Sequence, residues 1–352
     1  QWSRAGVPLP SSQEPFFTVE PQERQRRLEV GFARGDLLTI NTSFSDLVSD
    51  QAANDSVADF FREKVRAKVT DPQTAEDLCA KDFPLFTKRL CLETNYFETF
   101  NLPHSKLVNL RRTPIESITE TGIDTSEESM EFDAIVFATG FDAMTGAIVA
   151  VDIRGRGGIK LKDIWADGPK TYLGLNVHGF PNFFTITGPG SPSVLSNMVV
   201  SIEQHVDWIT AAFEHLRNQK LETLEATAAA QEGWATHLND LSNLTLYPVA
   251  NSWYMGANVP GKPRVFLPYI GGVDTYRQTC NEVAEQDYLG FEQSGPSGSR
   301  CNESVIRVVK PDVQMLLDLI ASLEQPPLET LPVEQARAAM EANAASRAPG
   351  PN

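Results

Sequence analysis

The apolar positions along this chain change their period twice. In "NDSVADFFREKVRAKV", Val57, Phe61 and Val65 recur every fourth residue with Phe60 beside them. That is the spacing of a helix with one buried face, and Asp55 or Ser56 stands where its N-cap is needed. "DPQTAEDL" then offers Asp71 as N-cap with Pro72 in the first helical position, so residues 1–85 read as helical. "KLVNL", "PIESIT" and "EFDAIVFATGF" are short β-rich runs broken by turn signals such as "TETGID", and "YLGLN" and "NFFTITG" continue the pattern. From Pro192 to Asn218 the helical period returns, with Ile202, Val206, Ile209, Phe213 and Leu216 at spacings of four and three, and a further helix is expected over 226–243. The alternation predicts an α/β architecture. "EQSGPSGSRCNES", within an expected linker over 292–306, is Gly/Ser-rich; the tail over 307–352 reads as two short amphipathic helices split by Pro326 and Pro327.

Composition narrows the function classes. The chain has 352 residues, 41% of them hydrophobic, which is ordinary for a globular protein able to bury a core. A net charge of −16 argues against nucleic acid or an anionic membrane as a partner, because phosphate binding rests on clustered Lys and Arg. The four cysteines are scattered, with no C-x-x-C pair, so neither a structural metal site nor a disulfide framework is expected. No apolar run approaches the roughly 18 residues of a membrane span. These features predict a cytoplasmic protein, and the four N-x-[ST] sequons, at Asn41, Asn54, Asn243 and Asn302, read as chance.

Two turns carry the chemistry. In "ITGPGSPSVLSNM", Gly188 and Gly190 precede Ser191-Pro192 at an expected helix start. A first helical turn has unpaired N–H groups and the positive dipole end, and glycines let another surface approach the backbone, so the turn suits a planar or anionic ligand. The same spacing fits a tight strand-to-helix turn whose glycines serve packing alone. "DAIVFATGFD" ends an apolar strand at Gly140, and ligands bind at such ends in open α/β sheets.

Together with "KDFPLFTKRLCLETNYFETFN", "LVNLRRTPIESITETGI", "VDIRGRGGIKLKDIWADGPKTYLGL" and "NSWYMGANVPGKPRVFLPYIGG", these segments resemble the C-terminal part of a Baeyer–Villiger flavin monooxygenase of the cyclohexanone/phenylacetone type, over residues 12–291. The resemblance implies FAD and NADPH as cofactors, and a ketone and O2 as substrates of an ester- or lactone-forming reaction. It implies an incomplete Rossmann-like flavoprotein with two dinucleotide-binding domains: residues 1–85 a helical insertion, 86–138 the returning part of the NADPH-binding domain, and 139–291 that of the FAD-binding domain. Arg89 of "TKRL" falls on the family's catalytic arginine, whose permanent charge stabilises a developing anion. Lys88 matches a residue near the NADPH 2′-phosphate. Pro192, Ser193, Asn197 and Met198 are placed beside the flavin, with Leu195 at the substrate cavity. Thr139, Gly140, Phe141 and Asp142 are expected where the chain re-enters the FAD domain, and Trp253 on a loop folding over NADP. His178 and His205 read as structural.

The chain departs from that family in lacking both G-x-G-x-x-G turns and the F-x-G-x-x-x-H-x-x-x-W fingerprint. It is therefore expected to hold FAD poorly by itself and not to turn over. A non-catalytic remnant or an interaction module is the alternative, and monooxygenases acting on nitrogen or sulfur match "TKRL" and the Trp253 loop less well. "DVQMLLDLIASLEQPPLETLPVEQARAAMEA" resembles the cap helices of hormone-sensitive-lipase-like hydrolases, which implies a fused hydrolase domain.

Overall fold

The computed structural model describes residues 5–6, 12–36, 39–296 and 298–301. Its N-terminal helices are α1 (Pro21–Arg34), α2 (Gln51–Lys68) and α3 (Pro72–Leu78). Asp71 caps α3 as expected, accepting from the Thr74 N–H at 2.8 Å. The cap of α2 is Asp50, whose carboxylate accepts from the Ala53 N–H at 2.8 Å; it is neither Asp55 nor Ser56. Ser56 instead donates back to the Ala52 carbonyl, because Ala52 and Ala53 already extend the helix one turn earlier.

Leu28, Phe44, Leu47, Val57 and Phe60 form one core with Leu85 and Phe86. Asn54, fully buried, stitches the later segment to it. Its amide donates to the carbonyls of Leu47 (2.6 Å) and Leu85 (2.9 Å) and accepts from the Leu85 N–H (2.7 Å). Both N–H groups of its amide and the amide oxygen find partners inside the protein, and the chain leaves this clamp directly into Lys88 and Arg89.

The first sheet is an antiparallel meander of β1 (Ile115–Ile118), β2 (Gly122–Thr125) and β3 (Ser129–Glu131). Four of the β-rich runs are not strands: "YLGLN" and "NFFTITG" make only the isolated antiparallel bridges Tyr172–Asn176 and Asn176–Phe184. "KLVNL" is irregular, and so is 133–142, where Val136, Phe137 and Phe141 are 86%, 67% and 89% exposed. A near-continuous apolar strand is stable only with pairing on its edges and cover on its faces, and the described residues supply neither.

The C-terminal part packs α4 (Met198–Gln219), α5 (Ala228–Asn243) and α6 (Val273–Glu285) around Trp208, Trp234, Tyr276 and Phe291. A second antiparallel sheet joins β4 (Thr223–Ala226), β5 (Phe291–Gly295) and β6 (Gly298–Cys301), with Leu224 opposite Gln293 and Ser294 opposite Ser299. The first part of the Gly/Ser-rich stretch read as a linker is thus a hairpin, while the tail over 307–352 lies outside the described residues. The architecture is α/β, and both sheets among the described residues are antiparallel.

Two features of α4 differ from expectation. The helix starts at Met198, capped by the Asn197 side chain, which accepts from the Val199 N–H at 3.1 Å; Pro192 heads only a 3-10 turn, Ser193–Leu195. Its buried face is Ser201, Gln204, His205, Trp208, Ala212 and Leu216. Ile202, Val206 and Phe213, expected in the core, are 38%, 43% and 42% exposed. The helix carries apolar residues on two sides, and only one is covered. Among the described residues, no helix is long and apolar enough to cross a membrane.

Candidate active site

The turn from Thr187 to Ser191 is bound inward at nearly every polar group. Thr187 N–H donates to His205 Nδ1 (2.9 Å), and Thr171 Oγ1 donates to the Pro189 carbonyl (2.7 Å). Gly190 N–H donates to the Leu267 carbonyl (2.7 Å), Trp234 Nε1 to the Gly190 carbonyl (3.0 Å), and Tyr269 N–H to the Ser191 carbonyl (2.7 Å). Ser191 Oγ closes the loop on the Gly188 carbonyl at 2.8 Å. A Cβ on Gly188 would lie 2.3 Å from Thr185 Oγ1, and one on Gly190 2.7 Å from Thr171 Oγ1. These glycines accommodate protein, so the packing alternative holds at this turn and the ligand-approach reading of Gly188 and Gly190 does not.

What the turn presents is the segment beyond it. Ser193 is buried with φ +43°, its hydroxyl 3.7 Å from Met144 Sδ and 3.9 Å from Met198 Sδ. Val194 and Leu195 pack on a cluster of Tyr247, Tyr254, Met255 and Phe266, together with Trp253. Trp253 and Tyr254 lie in a 3-10 turn, their ring centroids 4.1 Å apart, and Ser252 Oγ caps that turn through the Tyr254 N–H. Arg89 reaches this assembly from the Asn54 clamp, donating from Nη2 to the Val194 carbonyl at 2.6 Å across 105 residues of sequence. Burial pushes the Tyr247 and Tyr254 phenols up, while the charge of the Arg89 guanidinium pulls both the other way. Both phenols are therefore neutral donors beside a fixed cation at neutral pH.

Arg89, Pro192, Ser193, Leu195, Met198 and Trp253 thus meet, and Asn197 acts on its own helix as the cap. Thr139 to Asp142 join through their far end. Asn258 Nδ2 donates to the Phe141 carbonyl at 2.9 Å, and Lys262 Nζ pairs with the Asp142 carboxylate and reaches the Ala143 carbonyl at 3.1 Å. Gly140, with φ +82°, has nothing within 4 Å of a built Cβ, so its outer side is open. Lys88 is not joined to the cluster: its ammonium lies over the Phe83 ring, 4.2 Å from the centroid. His178 packs on the second sheet, its Nδ1 3.0 Å from the Ala226 carbonyl. Tyr247, Tyr254, Asn258 and Lys262 escaped the sequence reading, although three of them lie within "SWYMGANVPGK" beside Trp253. Among the described residues no cluster of His, Cys, Asp and Glu could hold a metal ion.

Comparison with known proteins bears on this arrangement. No family model matches the chain. Its homologues include Baeyer–Villiger, acetone, cyclopentanone and cyclohexanone monooxygenases, at 34–41% identity. The acetone monooxygenase (methyl acetate-forming) of Gordonia sp. (strain TY-5) is 41% identical over 278 residues, covering 78% of this chain and 52% of the relative. A phenazine N-monooxygenase of Lysobacter antibioticus is 39% identical over 278 residues, 78% of this chain and 50% of that protein. The solved structure of OTEMO in complex with FAD and NADP superposes with a TM-score of 0.79 at 35% identity, covering 83% of this chain and 54% of that one. The chain spans about half the length of the relatives it matches.

Proposed function

We propose that this chain carries the catalytic-arginine half of an FAD- and NADPH-dependent Baeyer–Villiger monooxygenase, which inserts an oxygen atom from O2 beside a ketone carbonyl to give an ester or lactone. In this reading 1–85 is the helical insertion, 86–138 belongs to the NADPH-binding domain and 139–291 to the FAD-binding domain. The observation that supports it most is Arg89 bound to the Val194 carbonyl, with its charge beside the Tyr254 phenol. A guanidinium is a cation with five N–H donors, and Arg89 gives one of them to the turn, leaving others for an anion.

The residues fit the two dinucleotides in charge and in space. Lys88, without an ion pair among the described residues, suits the 2′-phosphate of NADPH, and Trp253 has a broad indole face to lie over a nicotinamide. The open side of Gly140 and the exposed Thr139 and Phe141 give FAD a surface, while Pro192, Ser193, Asn197 and Met198 flank it. When bound, FAD supplies the redox chemistry that activates O2, with NADPH as hydride donor. Arg89 stabilises negative charge that develops during the reaction, the Val194 carbonyl holds the guanidinium in place, and Leu195 and the apolar cluster beside it exclude water. Oxidation of an aromatic nitrogen is the second reading, favoured by the phenazine N-monooxygenase among the relatives.

The apolar surfaces left bare on 133–141 and α4 motivate the test. The chain is purified and titrated with FAD, alone and with the co-expressed N-terminal half of the acetone monooxygenase relative. The expected result is a yellow complex that oxidises NADPH in the presence of a ketone only when both halves are present, and that Arg89→Ala inactivates. A folded chain that takes up no flavin in either mixture would overturn the enzymatic reading and favour a non-catalytic module.

A further inference from the structure

Two residues with side chains stand in the left-handed region on facing corners of the C-terminal part: Leu173 (φ +58°) and Thr187 (φ +53°). Such a conformation costs about 1–2 kcal/mol for an L-residue and is a genuine outlier for a β-branched one. The corners are in contact, for Thr185 Oγ1 donates to the Gly174 carbonyl at 2.9 Å and a Cβ on Gly174 would lie 2.4 Å from the Ser191 nitrogen. Strained corners of this kind persist only where neighbouring groups over-determine them.

Here the neighbours are His205 of α4 and Tyr276 of α6, 0% and 1% exposed. The Thr187 N–H donates to His205 Nδ1 at 2.9 Å; Tyr276 Oη lies 3.0 Å from His205 Nε2 and 2.5 Å from the Leu173 carbonyl. The proton assignment follows from these contacts. A ring nitrogen accepting from a backbone N–H carries no proton, so the neutral imidazole holds its proton on Nε2 and gives it to Tyr276 Oη. The phenol proton then goes to the Leu173 carbonyl, and each of the three donors meets its own acceptor. Substituting either ring would break the chain at a strained corner.

We infer that His205 is a positioning residue: by accepting from the Thr187 N–H it fixes the left-handed corner, and so sets the angle at which the inward-bound turn presents Ser193 and Leu195 to the ligand site. The identity of that ligand rests on the function proposed above; the positioning does not.

The test compares His205→Asn, which keeps an acceptor close to the position of Nδ1, with His205→Leu, which has none, each in the native and the Thr187→Gly background. The first readout needs no cofactor: backbone amide shifts of Ser193, Leu195 and Met198, and the imidazole nitrogen shifts of the unsubstituted chain. His205→Leu is expected to move those amides, His205→Asn to leave them near their native shifts, and Thr187→Gly, free to take the left-handed conformation, to make them insensitive to His205→Leu. The unsubstituted imidazole is expected to be protonated on Nε2. The second readout is FAD affinity with the complementary half present, expected to fall about tenfold for His205→Leu and to be recovered by His205→Asn. An imidazole protonated on Nδ1, or amides that respond equally in both backgrounds, would overturn the inference, and the first result is available even if His205→Leu fails to fold. A chain that binds no FAD but shows the expected amide pattern would count against the proposed function and leave the positioning role standing.

Discussion

Gly190 and Gly140 both sit at φ above +80° in segments that resemblance places beside a flavin, yet they belong to opposite kinds of structure. Around Gly190 the backbone is bonded to five residues on four segments of the C-terminal core, and a methyl group would meet Thr171, Leu238 and Trp234. Around Gly140 the chain is irregular and its apolar side chains are exposed, and a methyl group would meet nothing. One corner is complete in this chain. The other leaves its apolar side chains uncovered among the described residues, as does the outward face of α4. A glycine that permits a turn and a glycine that admits a ligand look alike in sequence; only the neighbours of the absent Cβ tell them apart.

The largest effect that would sharpen this contrast is at Gly190. Alanine there adds left-handed strain to overpacking against Thr171 Oγ1 at 2.7 Å, for an expected loss of about 3 kcal/mol in urea unfolding. A loss below about 1 kcal/mol would mean that the turn gives way, and that its inward bonds do not make it rigid. Acid should act on the same region by a comparable amount. Burial holds the His205 imidazole at a pKa of about 4, against 6.5 when exposed, so the unfolded chain binds a proton there that the folded chain refuses. Stability is unaffected by this group above pH 6.5 and falls as pH drops toward 4, by about 3 kcal/mol in all. The Tyr276 phenol, which lies against His205, adds no charge in that window, since burial pushes it up. Urea unfolding at pH 7 and pH 4.5 measures the loss; His205→Asn should remove its own share of the difference, while the His237 imidazole, also held down by burial, keeps a further share in the same direction.

Trp234 is the next test of the closed corner. Its Nε1 donates to the Gly190 carbonyl while its ring stacks on Tyr269, centroids 5.3 Å apart. Phenylalanine keeps much of the stacking and leaves the carbonyl unpaired, an expected loss of about 1–2 kcal/mol by thermal or urea unfolding. Loss of the whole fold would instead assign the effect to the ring.

How much of this was legible follows from where the determinants lie in the sequence. Asp71-Pro72 could be read because cap and first turn are adjacent, whereas Arg89 was singled out only because its motif is contiguous and resembles a family's. The cap of α2 was missed by a turn because Asp50, Asp55 and Ser56 all have the chemistry of a cap, and helix length, not residue type, decided among them. The buried side of α4 was misjudged for a deeper reason. Its period marks two apolar sides, and Trp208 and His205 on the covered one were outvoted by Ile202, Val206 and Phe213 on the bare one. "DAIVFATGF" reads as a strand because it has the composition of one, but a buried strand is a property of its neighbours as well as its own residues. The partners of Arg89 and Thr187 lie 105 and 18 residues away, beyond the reach of any local pattern.

The smallest effect on stability belongs at the open corner, and it discriminates best. Phe141 is 89% exposed, so Phe141→Ser should change unfolding by no more than about 0.5 kcal/mol, the range of an ordinary surface substitution. If the bare face of 133–141 is where a complementary half docks, the same change removes an aromatic anchor from that contact, and such anchors carry most of the energy of an interface. Binding of the relative's N-terminal half, followed by calorimetry, should then weaken by about tenfold or more while the chain's own melting stays in place. A variant that binds as the native chain does would show that 133–141 is simply an exposed loop, and the contrast with Gly190 would then be between a packed turn and a slack one.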